Sequence, residues 1–150
     1  MIQLDKSEFE DFNPLDFLDF SCELSCEIQE FESSKSSVKR TIFSRSYYAA
    51  FLCLRELLSR NTEYISNPYG EHRRLANFIQ FKGPFDDIVN KKLAKKLRIL
   101  KMLRHQADYH LKVPHEGTKE YDNWIFEDTD FAIDLANEII NLLKNRFNDS

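Results

Sequence analysis

Glycine and proline are scarce in this chain, three and four copies in 150 residues, which leaves too little turn punctuation for the many short strands of an all-β fold. Cysteine is as thin. Cys22, Cys26 and Cys53 are an odd number without paired Cys-x2-Cys spacing, which argues against a disulfide framework or a zinc ribbon and for a reducing compartment. No apolar run approaches the roughly 20 residues that cross a bilayer, and the chain opens on acids where a secretory leader opens on bases. The expected location is the cytoplasm, with no membrane partner.

What the chain does have is aromatic and charged. Thirteen phenylalanines supply core volume, each burying apolar surface at roughly 25 cal/mol per Å². The net charge of -4 conceals two opposed segments. Between residues 1 and 32, Asp5, Glu8, Glu10, Asp11, Asp16, Asp19, Glu23, Glu27, Glu30 and Glu32 face a single base, Lys6. Between residues 91 and 112, Lys91, Lys92, Lys95, Lys96, Arg98, Lys101, Arg104 and Lys112 face only Asp108. That field can attract phosphate, or it can be a solvated lysine face docked near the acidic first helix.

The length suits one domain spanning residues 1–150, with 1–12 a flexible or loosely packed N-terminus. Asn13-Pro14 followed by Phe17, Phe20, Leu24, Ile28 and Phe31 predicts a first helix to about Phe31. Ser33 to Ser37 offers a cap for a second helix reaching about Arg60. Wound at about 100° per residue, this second helix is apolar around most of its circumference and should be the central one. Its leftover polar strip holds Ser44, Arg45, Tyr48 and Arg55. A short helix over Glu71 to Phe81, a fourth over Phe85 to Leu111 and a last from Thr129 complete an all-α, up-down bundle of about five helices. Cys22 and Cys26 read as small core hydrophobes on the first helix.

On the fourth helix, Val89, Leu93, Leu97, Leu100, Ala107 and Leu111 form an apolar stripe, and Arg104 falls within it. A guanidinium on a buried face needs a carboxylate, a phosphate or carbonyls around it. His110 projects about 120° from Arg104 and about 9 Å along the axis, so the pair does not meet on one straight helix. A two-fold dimer joined near this helix end brings both pairs into one cleft. The competing reading is an Arg104–Asp108 pair four residues apart, with His110 near the helix C-terminus. His105, His110 and His115 do not suit a metal, because five-residue steps spread neighbouring members over about 140°. No metal and no cofactor is expected.

Two segments resemble the HEPN superfamily, over about Ser37 to Leu143. Ser44-Arg45-Ser46-Tyr47-Tyr48-Ala49-Ala50-Phe51 is similar to the Tyr-Tyr-Ala-x-Phe signature of that family's central helix, and Arg104 to His110 is similar to its Arg-x4-6-His motif. The resemblance implies a HEPN-like homodimer and a metal-independent endoribonuclease leaving 2′,3′-cyclic phosphate ends. It implies Arg104 and His110 as catalytic residues at a composite site on the dimer interface, with His105, Asp108, Tyr109, Tyr48 and Ser44 supporting them. RNA is the implied partner, with Lys101 and Lys112 touching its backbone. The resemblance further implies a toxin of a toxin-antitoxin or antiviral system, with a nucleotidyltransferase-type antitoxin as partner. Lys112 stands where some members carry a modifiable tyrosine, so silencing by AMP transfer is not implied. Arg-x2-Ala-Asp-Tyr is also similar to a branch in which the histidine is often missing, and there the implied alternative is a non-catalytic nucleotide-binding or partner-binding module acting with a nucleotidyltransferase.

Overall fold

The computed structural model describes residues 13–31, 34–109 and 128–147. These form five α-helices and no strand: α1 (Leu15–Glu27), α2 (Lys35–Asn61), α3 (Glu71–Lys82), α4 (Asp87–Tyr109) and α5 (Thr129–Phe147). A 3-10 turn over Ile28–Glu30 extends α1. The start of α1 is set by Asn13, whose side-chain oxygen accepts the Leu15 N–H at 2.9 Å. Ser34 precedes α2 without a side-chain cap bond. Gly70, at φ +62°, makes the left-handed turn into α3 that a side chain resists.

α2 is the central helix, packed against α1, α4 and α5, while α3 lies on α4. Val38, Ile42, Phe43, Tyr47, Ala49, Ala50, Phe51, Cys53, Leu54, Leu57 and Leu58 are all buried, on the wide apolar arc that winding the sequence predicts. From the other side come Leu93, Leu97, Leu100, Leu103 and Ala107 of α4 and Ala136, Ile139 and Leu143 of α5. Each buried Leu or Ile contributes roughly 1.5–3 kcal/mol over leaving it in water. Two arginines lock the periphery, Arg40 of α2 donating to the Ala107 carbonyl at 2.8 Å and Arg146 of α5 to that of Pro84 at 3.1 Å.

One expectation is overturned. Cys22 and Cys26 are exposed and only Cys53 is buried. The buried face of α1 centres on Ser21, whose hydroxyl donates to the carbonyls of Phe17 at 3.0 Å and Ile42 at 3.4 Å and lets α1 and α2 approach closely. Cys22 and Cys26 are then about 100° and 140° around the helix from that face. Partial shielding of the sulfur by its neighbours and then the charge of Asp19 push the Cys22 thiol up, which disfavours the thiolate needed for redox chemistry. The lysines of α4 do not all stand in solvent either, since Lys96 pairs with Glu138 of α5 at 3.0 Å.

Candidate nucleic-acid interface

Arg104 lies on the side of α4 that meets α2, its side chain only 14% exposed. Its Nη1 donates to Tyr48 Oη at 2.8 Å and lies 3.7 Å from Asp108 Oδ2. Its guanidinium carbon sits 5.4 Å from the ring centre of Tyr47 and 5.5 Å from that of Tyr48, a doubly cation–π setting. Its Nε is buried with no hydrogen-bond partner among the described residues. The α4 winding and the tyrosine pair of α2 thus converge on one spot, although the two segments are 56 residues apart.

Behind that spot lies a residue that no sequence motif singles out. His72 of α3 stacks on Phe51, ring centres 4.4 Å apart, and its Nδ1 hydrogen-bonds the Tyr47 hydroxyl. Tyr47 is fully buried. Burial drives its phenol well above the usual range, with Arg104 pulling in the other direction. Burial, then the cations Arg104 and Lys101, hold His72 below its ordinary value. Both groups are therefore neutral at pH 7. A buried phenol that accepted this bond would leave its own proton without a partner, so Tyr47 donates and Nδ1 accepts. The ring proton of His72 then sits on Nε2. The dyad has no signature in the sequence, because its members belong to different helices, 25 positions apart.

His72 also lines an open groove of about 690 Å³ between α3 and α4, together with Arg73, Ala76, Arg98, Lys101, Met102, His105 and Gln106. None of these is a carboxylate. Arg98 is held across the groove, donating to Gln80 at 2.7 Å and Asn77 at 2.9 Å. The nearest acid on α3, Glu71, is turned away and buried, accepting from Tyr64, Ser66 and the Asn67 amide within 3.0 Å.

Of the residues the sequence nominates, Arg104, Tyr48 and Asp108 are brought together, and Lys101 and His105 line the groove. Tyr109 is 64% exposed and its ring lies 4.8 Å from that of His105. Ser44 is half-buried one turn before Tyr48. His110 and Lys112 lie outside the described residues, as do His115 and the end of the expected apolar stripe at Leu111. Among the described residues no three His, Cys, Asp or Glu side chains group as a metal ion would require, and no helix is long and apolar enough to cross a membrane.

No family model matches the chain, and no solved structure matches it. It is similar to an uncharacterized protein of Methanocaldococcus jannaschii, 28% identical over 154 aligned positions that cover 92% of this chain and 87% of the archaeal one.

Proposed function

We propose that this protein is a HEPN-type, metal-independent endoribonuclease that works as a homodimer, with Arg104 and His110 at a composite site. The observation that carries this reading is Arg104 itself, a guanidinium kept at the edge of an apolar interface over two tyrosine rings, with its Nε unpartnered among the described residues. In metal-free cleavage the ribose 2′-hydroxyl attacks the adjacent phosphorus and the 5′-oxygen leaves, giving a 2′,3′-cyclic phosphate and a 5′-hydroxyl. Arg104 offsets charge building on the phosphoryl oxygens with its fixed fork of donors. His110 serves the attacking or the leaving oxygen, imidazole being the side chain that most often moves protons in such steps. Tyr48 orients the guanidinium. Action as a toxin, with a nucleotidyltransferase-type antitoxin and a cytoplasmic location, belongs to the same proposal.

The experiment is incubation of purified protein with tRNA or total RNA in EDTA. Cleavage should be abolished in both Arg104→Ala and His110→Ala. Undiminished cleavage in either variant rejects this site.

A second reading has its own observation. Asp108 and Tyr48 already engage Arg104 within one chain, as in a non-catalytic module that binds a nucleotide or a nucleotidyltransferase partner. It predicts no cleavage by the wild type, and nucleotide or partner binding that survives His110→Ala but is lost when Ser44, Tyr48 and Arg55 are replaced.

A further inference from the structure

The groove between α3 and α4 is lined by none of Arg104, Tyr48 and Asp108, and the charged side chains of its lining are all cationic. Arg73 and Lys101 present cations from opposite walls, and Arg98 adds a third. The hydrogen bonds from Arg98 to Gln80 and Asn77 leave its positive charge uncancelled, because both partners are neutral amides. Among the described residues no carboxylate lines the groove, so the charges that an entering anion meets on its lining are positive. Ala76 and Met102, the latter 39% exposed, add apolar surface to the lining. The His105–Tyr109 ring pair belongs to the same stretch of α4, one member in the lining and the other exposed. Cations along a channel with apolar and aromatic surface beside them are what a single strand needs, phosphates on the first and bases on the second. The volume falls in the roughly 300–1,000 Å³ range of sites that hold a small organic ligand.

We propose that the α3–α4 groove is a binding track for single-stranded RNA, in which Arg73, Arg98 and Lys101 hold backbone phosphates and His72, fixed by Tyr47, donates a hydrogen bond from Nε2. RNA as the ligand rests on the endoribonuclease reading, and the track deepens it by supplying a surface that holds substrate beside the Arg104 cluster. The Tyr47 bond gives His72 a special part. It commits the imidazole to one tautomer, so the nitrogen not bonded to tyrosine is a donor suited to a phosphate or a ribose oxygen, and the Phe51 stack keeps the ring from turning.

The test measures binding apart from cleavage. A fluorescent single-stranded oligoribonucleotide with 2′-O-methyl groups cannot supply the attacking hydroxyl, so its anisotropy titration reports affinity alone. Arg73→Ala/Lys101→Ala should weaken binding about tenfold or more and reduce the slope of log affinity against log salt by about 1.4, roughly 0.7 for each single-strand phosphate deprived of its cation. Lys91→Ala/Lys92→Ala, an equal loss of charge on exposed residues of α4 that do not line the groove, should change affinity far less. His72→Ala should weaken binding about fivefold with the salt slope unchanged, because a neutral donor releases no counterion. Arg98 is left in place, since its removal also breaks the link between α3 and α4. Thermal unfolding of each variant checks that it folds. Three results overturn the track: no binding by the wild type, wild-type affinity in the Arg73/Lys101 variant, or an equal loss in the Lys91/Lys92 control. Groove-dependent binding without any RNA cleavage by the wild type leaves the track standing and removes the nuclease reading. Cleavage that needs Arg104 and His110 but not the groove does the reverse.

Discussion

At the scale of single residues, Arg104 and His72 share one tyrosine pair and use it oppositely. Arg104 lays its cation over the rings of Tyr47 and Tyr48, whereas His72 is kept neutral while bonded to the Tyr47 hydroxyl. Asp108 balances Arg104 only partly, because it lies 3.7 Å away with about a third of its side chain in solvent, and pairs so exposed are weak. A phosphate can therefore replace it. The neutrality of His72 has a measurable consequence for stability. Burial first, then Arg104 and Lys101 of α4, disfavour its charged form, with Arg55 of α2 adding least, while Glu71 on its own helix favours it. Its folded pKa lies below its unfolded value of about 6.5, so between the two values only the unfolded chain is protonated there. Stability must then rise with pH across that window, with the contribution complete above about 6.5 and lost as the pH falls toward the folded pKa. Thermal melts between pH 7 and 5 should show the wild type losing stability, and His72→Gln should flatten that slope. An unchanged slope in the variant rejects the assignment. Arg104 was legible in the sequence because helical winding alone places it among leucines. His72 was not, since nothing local to it reveals Tyr47 or Phe51.

At the scale of elements, the α3–α4 corner sets the groove, and it is held by one buried amide. Asn90, only 3% exposed, accepts the Phe85 N–H at 3.1 Å and donates to the carbonyls of Phe85 at 2.9 Å and Gly83 at 3.2 Å. Three otherwise orphaned backbone groups are satisfied by a single side chain, which fixes how α4 leaves the turn. Gly83 is required here for room, its backbone being ordinary extended chain. A Cβ at Gly83 would drive into the Asn90 amide and the Ile79 carbonyl. Gly83→Ala should therefore destabilise the fold by about 1–3 kcal/mol, read as a fall in melting temperature of several degrees. A variant melting like the wild type would show that the corner yields. The Lys82-Gly83-Pro84 break was readable as a break, yet the partner that makes glycine necessary comes from seven residues on. Similarly, the arc of α2 was read correctly because a helix surrounded by α1, α4 and α5 is apolar on nearly every side. The face of α1 was misjudged because its centre is Ser21, a polar residue buried for its small size and its bond to the Ile42 carbonyl.

At the scale of the whole molecule, the proposed site requires more than one chain, and this can be tested without knowing the RNA. On a straight α4 extended to His110, Arg104 and His110 point about 120° apart, so a cleft holding both draws them from two copies related by a two-fold axis. Arg104→Ala and His110→Ala protomers are then inactive alone for different reasons. When the two are unfolded together and refolded as a mixture, half of the dimers are mixed. A mixed dimer keeps one cross-axis pair, an intact Arg104 from one chain with an intact His110 from the other. Activity should return to roughly a quarter of the wild type, because half of the dimers keep one of the two Arg104–His110 pairs formed across the axis. If each cleft takes both residues from the same chain, a mixed dimer has no complete site and the mixture stays as inactive as its components. The Arg40 bond to the Ala107 carbonyl lies within one chain and survives in both variants, whereas Arg104→Ala gives up its bond to Tyr48, so a thermal melt of each variant alone checks that it folds. Recovery on mixing accordingly reports the composition of the cleft and not a rescue of folding, and its absence in a mixture shown by mass to contain mixed dimers refutes the composite site.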